Sequence, residues 1–467
     1  MKKMSGELDK VYDIFEKVGS TLDGKVEYWD VLYDSQASCS IVKDKVDVKV
    51  STPELEGVQL RAFKGGVWLT SSTHRVEKAA VADLAKRLIK PIEAPRRVIK
   101  LERLKAHRLD RPLPAKKSPR ETPLEDKLEV VRDYHKLASS LDKRVINTRV
   151  VCIDSLIERA FANSEGSLMH QTVPRTRLVI VPIAREGDRI EADFLSKGRT
   201  GGFEFIDGLD MEGLCRKAVA SSVELLGAKV PPSGELTVIA DPGMAGIIAH
   251  ESFGHGLEAD QVMRDRSYLA ALVGKKVASE ESTIVDSPVL EGGWGSYVFD
   301  DEGTPAKENV ILDRGILKGF LHDRLSSSAL GVPPTGNCRV ESFLTKHFVR
   351  MSNTYFRPGD MALEELIEPV KRGVMLAHAN FGMEDPLGGG IQCTSSKGYM
   401  IENGKIAGAL TSVSLAGRVL DLLKNIDGAS RDFEMSVGTC GKGSEDYVPA
   451  GDGGCYLRIS KAMVSGG

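Results

Sequence analysis

The segment 249–260, AHESFGHGLEAD, constrains the fold more than any other part of the sequence. It places two histidines, His250 and His255, and the carboxylate of Glu251 within six residues, directly after an apolar run. Imidazoles bind zinc, and a neighbouring glutamate can take the proton from a zinc-activated water. The pattern therefore predicts a metal-binding helix that the surrounding chain must pack and hold in place.

The spacing of the two histidines requires that this helix be distorted. In a His-Glu-x-x-His helix the histidines are four residues apart and lie about 40° from each other around the axis. His250 and His255 are five residues apart, which is about 140° on a regular helix and too far for both to reach one ion at ~2.0 Å. A one-residue π-bulge would return both side chains to one face. We expect Gly254 to permit the bulge, because glycine tolerates unusual backbone conformations.

A catalytic zinc site usually has three protein ligands and one open position for water, so a third ligand is needed. Glu258 and Asp260 are the candidates nearby in sequence, and Cys440 and Cys455 are distant ones. Glycines flank both cysteines, so the backbone there can approach a helix closely, and a thiolate binds zinc strongly. The residues alone do not decide between Glu258 and Cys440.

The composition is that of an ordinary globular chain: 467 residues, 41% hydrophobic, 28% charged, with a net charge of -3. This length predicts two or three domains, and the charge balance gives no reason to expect nucleic acid or membrane as a partner. No run approaches the ~20 apolar residues of a membrane span, and the first residues contain no apolar signal segment. We therefore expect a cytoplasmic protein. The seven cysteines form no Cys-x-x-Cys, which argues against a disulfide framework.

One stretch is strongly basic. Residues 86–120 contain 13 Lys or Arg and 3 Asp or Glu, with interspersed prolines. Such a stretch could contact phosphates, but it has no aromatic residue on which a base could stack. We interpret it as a solvated connector.

The hydrophobic periodicity predicts an α+β fold. A mixed α/β N-terminal region, 1–230, is followed by a β-rich C-terminal domain, 235–467, that carries the metal helix. The N-terminal region has two parts, about 1–90 and 122–230, joined by the basic connector. The individual elements predicted are a helix at 8–18, a hairpin around 64–66, a helix capped by Ser72 or Thr73 and ended by Pro91, a capping box at 122–125 with Pro123 as the first helical residue, five short strands between 150 and 195, a helix at 211–226, a strand at 236–240, helices at 363–370 and 414–423, and a hairpin at 403–404.

Five blocks, in order along the chain, resemble the TldD/PmbA proteins, metallopeptidases once called modulators of DNA gyrase. The blocks lie at 250–260, 335–339, 351–355, 398–406 and 438–442. The resemblance implies zinc (Zn2+) held by His250, His255 and Cys440, with Glu251 as the general base. It also implies a groove that takes unfolded peptide as an added strand, and a homodimer or a heterodimer with a metal-free PmbA-like paralogue. Because this chain keeps the metal-binding residues, it is similar to the active, TldD-like members.

We therefore expect a zinc-dependent peptidase that hydrolyses unfolded or extended peptides. The first alternative is a non-catalytic peptide-binding or regulatory subunit of a TldD/PmbA-type complex. A DNA or gyrase modulator is disfavoured by the net charge and by the absence of aromatic residues in the basic stretch. A zinc hydrolase of another substrate class is the third alternative. The residue that would stabilise the oxyanion is not identified from sequence, and the candidates are His322, His347, His378 and Arg339.

Overall fold

The computed structural model describes residues 6–89, 99–442 and 446–467, and its helices and strands form an α+β fold, as predicted. None of the helices in these ranges is both long enough and apolar enough to cross a bilayer. All seven cysteines are buried and unpaired. Pro91, predicted to end a helix, and residues 90–98 of the basic connector lie outside the described residues.

The N-terminal region places five helices on strands of one sheet within the described residues. The helices are α1 (Gly6–Leu22), α2 (Lys78–Leu88), α3 (Leu124–Ser140), α4 (Glu204–Asp207) and α5 (Met211–Leu225). The strands are β1 (Tyr28–Lys43), β2 (Val48–Ser51), β3 (Glu54–Lys64), β4 (Val67–Thr73), β5 (Arg108–Asp110), β6 (Val145–Asn163), β7 (Leu168–Glu186), β8 (Arg189–Ala192) and β9 (Leu195–Thr200). The central order is β4-β3-β1-β6-β7-β5, so both parts of the region contribute to the same sheet. The first helix, the 64–66 hairpin and the 211–226 helix are confirmed.

The prediction of five short strands between 150 and 195 is wrong, because β6 and β7 are each 19 residues long. Their pairing continues through Pro174, which lies opposite Leu156. It also continues through Asp154, whose buried carboxylate pairs with Lys127 Nζ at 2.7 Å. Polar residues and a proline suggested strand ends, but an ion pair with α3 and the length of the ladder keep these residues inside the strands.

Both predicted helix caps in this region are wrong. Strand β4 continues through Thr73, so α2 begins only after Glu77, whose side chain makes no capping bond. At α3 the N-cap residue is Pro123, and the hydroxyl of Thr122 donates to the Ser118 carbonyl. Part of the basic connector also departs from the prediction, because β5 adds to the sheet in parallel with β7.

The C-terminal domain is rich in strands, as predicted. Its strands are β10 (Gly234–Ala240), β11 (Ile284–Asp286), β12 (Asn309–Asp313), β13 (Ile316–Leu317), β14 (Cys338–Arg339), β15 (Phe348–Val349), β16 (Asn353–Phe356), β17 (Arg372–Asp385), β18 (Gly390–Glu402), β19 (Lys405–Leu410), β20 (Val413–Arg418), β21 (Ile426–Ala429), β22 (Glu434–Lys442), β23 (Asp446–Gly454) and β24 (Leu457–Gly466). Its helices are α6 (Pro242–Ala249), α7 (Ala259–Val262), α8 (Arg324–Leu330), α9 (Leu363–Ile367) and α10 (Val419–Lys424). The 403–404 hairpin is confirmed as the turn between β18 and β19.

The helix predicted at 414–423 is wrong over its first half. Residues 413–418 form β20, which pairs with β18 and β24 and buries Val413 and Leu415 on one face. Ser414 between them is buried as well, so the pairing on both sides, and not alternate burial, identifies this segment as a strand. The helix begins only at Val419.

Two sheets of this domain position the metal helix. In the described part of the chain one has seven strands, and β10, which leads directly into α6, pairs there with β17 and β24. The other has six strands in the order β13-β12-β11-β16-β23-β22, so β22 is an edge strand. Helix α6 packs tightly on β23: a Cβ at Gly246 would lie 2.2 Å from the Gly453 nitrogen. This close approach brings the helix next to the β22–β23 pair.

Candidate metal centre

The helix that carries both histidines changes its winding where the sequence predicts it. Asp241 caps α6 by accepting a hydrogen bond from the Met244 amide, and Pro242 is the first helical residue. Residues His250–Gly254 then form a π-helix, followed by one 3₁₀ turn at His255–Leu257. Because a π-helix pairs residues five apart, it places both histidines on one face. The predicted π-bulge is confirmed.

The reason for glycine at position 254 differs from the expected one. The φ angle of Gly254 is −63°, which any residue adopts, so its backbone does not require glycine. A Cβ at this position would instead lie 1.7 Å from the sulfur of Met351, a fully buried side chain. Gly254 is needed because the π-helix lies directly against Met351.

Three of the predicted side chains converge. His250 Nε2 lies 3.1 Å from Cys440 Sγ, and His255 Nε2 lies 3.4 Å from the same sulfur. One ligand atom from each of the three residues lies within 4.8 Å of the others. Cys440 comes from edge strand β22, 190 residues after His250. The two ends of the C-terminal domain therefore meet at this point.

The donor set fits a zinc ion. In a tetrahedral site with Zn–N near 2.0 Å and Zn–S near 2.3 Å, nitrogen and sulfur ligands are about 3.6 Å apart. The two observed N–S distances, 3.1 and 3.4 Å, are shorter than that value by half an ångström or less. Two imidazoles and a thiolate also match the ligand types that zinc prefers.

The surroundings of Cys440 favour its thiolate form. Burial alone would raise the pKa of the Cys440 thiol, but the neighbouring imidazoles of His250 and His255 lower it well below its ordinary value. Burial lowers the pKa of His250, yet the Cys440 sulfur outweighs this and raises it to about 9. Without a metal, protons on the histidines balance the thiolate, and a cation at the centre would take their place.

The other candidate ligands lie outside this group. Glu258 Oε2 is 3.4 Å from His255 Nδ1, the nitrogen that faces away from the sulfur, and 3.0 Å from Lys442 Nζ. Asp260 is bound by the same lysine at 2.7 Å. Cys455 donates toward the Arg357 carbonyl at 3.6 Å. Glu258 is thus placed to orient His255 from behind, as carboxylates do for zinc-bound histidines.

Two cationic side chains, Lys442 and Arg350, help to hold Glu258 ionised, and neither was identified from the sequence. Burial would raise the pKa of Glu258, but Lys442, His255 and Arg350 lower it to about 2. Arg350 is fully buried, and its guanidinium also donates to the Cys440 carbonyl at 2.5 Å. The role of Lys442 could have been inferred, because residues two apart on a strand share a face and Lys442 follows Cys440 by two. Nothing in the sequence pattern indicated Arg350.

Glu251 follows His250 on the π-helix and is partly exposed. Its side chain runs past Gly382 on β17, where a Cβ would lie 2.6 Å from Glu251 Cγ. Among the described residues its carboxylate takes part in no hydrogen bond or ion pair. Glycine at position 382 therefore leaves room for a carboxylate whose oxygens are not engaged by the fold.

A second acid near the centre was not predicted. Glu384 lies two residues beyond Gly382 on the same face of β17, and its buried carboxylate lies beside the hydroxyl of Tyr268. Burial raises the pKa of Glu384 to about 8, against the opposing effect of His255. Tyr268, next to it, donates to the Ser252 carbonyl and so braces the π-helix. No motif distinguishes a lone glutamate near the end of a strand.

The four candidates for an oxyanion-stabilising residue all have partners within the fold. Their partners are Ser326 for His322, the Asp301 carbonyl for His347, Asp193 for His378, and the Met351 and Pro449 carbonyls for Arg339. These contacts give each of the four a structural role.

An open groove lies beside the strand that carries Cys440. Along the described residues, β22 pairs with β23 on one side only. A cavity of about 420 Å³ opens between β22 and β9, and Met435, Val437, Lys197 and Arg199 contribute to its walls. The unpaired edge of β22 therefore borders this cavity, and Lys197 of β9 pairs with Glu434 of β22 at 3.7 Å.

Comparison with known proteins gives consistent matches over nearly the whole chain. Residues 233–466 match the model of the PmbA/TldA metallopeptidase C-terminal domain, and residues 117–226 match that of the central domain. A protein of Methanothermobacter thermautotrophicus named as a metalloprotease is 36% identical, over 95% of this chain and 97% of its own length. A zinc metalloprotease TldD homolog of Saccharolobus solfataricus is 32% identical over 72% of this chain and 76% of its own.

A solved structure extends the comparison to the fold. The crystal structure of a putative modulator of a DNA gyrase from Thermotoga maritima has a TM-score of 0.79 and 22% identity, and the match covers 97% of this chain and 100% of that one. At this identity the likeness concerns the fold alone.

Proposed function

This chain belongs to the PmbA/TldD family of metallopeptidases, and from that premise we propose that it is a zinc-dependent peptidase acting on unfolded or extended peptides. The observation that carries the proposal is the convergence of His250 Nε2, His255 Nε2 and Cys440 Sγ on one point. These three side chains would hold the metal, and Glu258 would orient His255.

When bound, zinc would supply a Lewis acid that acidifies water and polarises a peptide carbonyl. Glu251 would accept the proton of the attacking water at its carboxylate and return it to the leaving amine. Three features support this role. Glu251 follows a proposed ligand directly, and its oxygens are not engaged by other described residues. The neighbouring Gly382 leaves room for the carboxylate to move.

The open edge of β22 supports a preference for extended peptides. A peptide that adds to a sheet edge must offer unpaired backbone N–H and C=O groups, which a folded protein has already used. Because β22 also carries Cys440, a peptide added along this edge would lie beside the metal centre. The cavity between β22 and β9 would receive its side chains.

We further propose that the chain functions as a dimer, either with a second copy or with a metal-free PmbA-like paralogue, in the cytoplasm. Size-exclusion chromatography with light scattering would measure the assembly of the purified chain. A stable monomer at micromolar concentration that is fully active would contradict the dimer.

The experiment that tests the function combines metal analysis with identification of the products. We expect about one zinc per chain by elemental analysis, and peptide-length products by mass spectrometry from an unfolded substrate. The same protein in its native state should be spared. Equal cleavage of native and unfolded substrate would refute the strand-addition step, and a chain that neither binds zinc nor cleaves peptides would instead be a regulatory subunit.

The role of Glu251 has its own test. Glu251→Gln should keep its zinc, because no proposed ligand is touched, while turnover falls by about 10² to 10⁴-fold, as is usual for a lost general base. Glu280→Gln, on the exposed surface, is the matched control and should leave both unchanged. A zinc-loaded, fully active Glu251→Gln protein would remove Glu251 from the mechanism.

A further inference from the structure

A small cavity of about 30 Å³ lies behind the β22–β23 pair, between the C-terminal domain and the long strands β6 and β7. Three arginines contribute to its lining: Arg159 from β6, Arg175 from β7 and Arg339 from β14. The volume is enough for one small ion or for one or two water molecules. Because three cationic side chains surround so small a space, negative charges are needed nearby to offset them.

Arg175 has no acidic partner. Its side chain is buried, and it donates from Nε to the Trp294 carbonyl at 2.7 Å and from Nη2 to the Ser296 carbonyl at 3.2 Å. Nη1 is buried and has no hydrogen-bond partner among the described residues. Within those residues, no carboxylate lies at ion-pair distance from the guanidinium. Arg175 therefore brings a positive charge and a free N–H donor group to the cavity.

Arg339, like Arg175, is a buried cation without an ion-pair partner among the described residues. It is buried, and its Nη1 donates to the Met351 and Pro449 carbonyls at 2.7 Å each. Its guanidinium stacks over the ring of Tyr297, 5.1 Å from the centroid. None of the described acids forms an ion pair with it. Carbonyls and an aromatic face solvate this cation but do not neutralise it.

The carboxylates of the lining are engaged elsewhere. Asp301 pairs with Arg159 at 2.5 Å and accepts from the Val340 amide. Arg159 itself is also bound by Asp34, so two carboxylates surround this one guanidinium. The carboxylate of Glu341 accepts a hydrogen bond from the Tyr447 amide, on the exposed side of the cavity lining.

The third lining acid, Asp300, is turned toward the backbone. It accepts hydrogen bonds from the amides of Thr304 at 2.8 Å and Cys338 at 3.0 Å. Burial raises the pKa of Asp300 well above its ordinary value, and the amides of Thr304 and Cys338 oppose that effect. Arg175 and Arg339 thus have no ion-pair partner among the described residues, and Asp34 and Asp301 supply two negative charges against the three arginines.

We propose that this cavity is a binding site for a small monovalent anion of the halide class, with chloride as the ion that fits its size and charge. An isolated buried cation is costly, and a counterion that also accepts the free N–H of Arg175 would remove most of that cost. In line with this, burial lowers the pKa of Arg175 to about 9; the charges of Arg339 and Arg159 add to the effect, and the charge of Asp301 opposes it.

The position of the site links it to the metal centre. Arg339 holds the carbonyl of Pro449, which pairs with Thr439 next to the proposed ligand Cys440. It also holds the carbonyl of Met351, whose side chain packs on Gly254 of the π-helix. An anion that holds Arg339 in place would therefore stabilise both parts of the metal centre: the strand that carries Cys440 and the π-helix that carries the histidines.

The first test compares salts at constant ionic strength. The full chain, purified without halide, is unfolded thermally in increasing sodium chloride or sodium bromide, with sodium gluconate as the bulky control anion. We expect a saturable rise of about 2 to 4 °C in the melting temperature with either halide and none with gluconate. An equal response to chloride and gluconate would mean general screening and would overturn the proposal.

The second test locates the ion directly. Crystals grown in bromide should show an anomalous peak within hydrogen-bond distance of Arg175 Nη1. Water alone at that position, with no bromide signal, would overturn the proposal without any variant being needed. Among variants, Arg175→Met should abolish the halide response, while Arg177→Met on the same strand, outside the cavity lining, should keep it. A halide response that survives in Arg175→Met would also count against the site.

Discussion

The contact between the π-helix and Met351 predicts a large effect for a single added methyl group. In Gly254→Ala the new Cβ would meet the Met351 sulfur at 1.7 Å, whereas non-bonded atoms prefer separations of about 3.5–4.0 Å. One partner must therefore move by about 2 Å in a site where Met351 is fully buried. Such overpacking typically costs about 1–3 kcal/mol of folding free energy. Zinc ligands tolerate only ~0.2 Å, so a shift of the helix would also weaken metal binding at His255.

The assay is a double-mutant cycle. The free energy of unfolding and the zinc content are measured for wild type, Gly254→Ala, Met351→Ala and the double variant. Met351→Ala alone leaves a cavity and costs about 2–5 kcal/mol, but it also makes room for the new methyl group. The double variant should therefore be more stable than the sum of the single effects predicts, with a coupling of about 1–3 kcal/mol.

Gly408→Ala is the control for replacing a glycine by alanine without a steric clash, since a Cβ there would meet nothing within 4 Å. It should be close to neutral. If Gly254→Ala is as stable and as rich in zinc as Gly408→Ala, or if the cycle is additive, the steric explanation of this glycine is wrong.

Three further changes test the centre and its surroundings. Cys440→Ala should lose zinc while Cys455→Ala keeps it, measured by elemental analysis after dialysis; the reverse result would contradict the ligand set. Glu258→Gln should weaken zinc binding by about 10- to 100-fold by competition titration, because the carboxylate behind His255 loses its charge; unchanged affinity would show that this contact is dispensable. Burial lowers the pKa of His322 from 6.5 to about 4, so the unfolded chain takes up a proton first as the pH falls. The free energy of unfolding should therefore drop between pH 6.5 and 4 by up to about 3 kcal/mol. Chemical denaturation should show a smaller drop for His322→Gln than for the wild type, and identical pH profiles of the two proteins would contradict this prediction.

The winding of the metal helix could be predicted from sequence because only local geometry was needed. Two histidines five residues apart cannot face one ion on a regular helix, and the π-helix at His250–Gly254 is the solution found. The choice between Glu258 and Cys440 could not be made in the same way. It depends on strand β22 returning to the helix from 190 residues away, and single-sequence patterns carry no information about such long-range pairing. The steric need for Gly254 was hidden for the same reason, since Met351 is also distant in sequence.

The errors in the fold share a physical cause. Local signals indicated strand ends at Asp154 and Pro174, and helix caps at Thr73 and Thr122. At Asp154, Pro174 and Thr73 a tertiary contact or an extended ladder outweighed the local preference, as with the ion pair that Asp154 forms to Lys127. At Thr122 a competing local hydrogen bond to the Ser118 carbonyl did so. The α+β class was correct because it depends on periodicity summed over long segments, which single polar residues do not alter.

The distance along the chain between the two halves of the centre also sets an order of events during synthesis. At roughly 5–20 residues per second, the 190 residues from His250 to Cys440 take about 10–40 s to produce. Throughout that interval the nascent chain offers two imidazoles from the helix but not the thiolate of β22, fewer than the three ligands of a typical zinc site. With the proposed ligand set, metal loading would therefore belong to the nearly complete or released chain, after β22 has paired with β23.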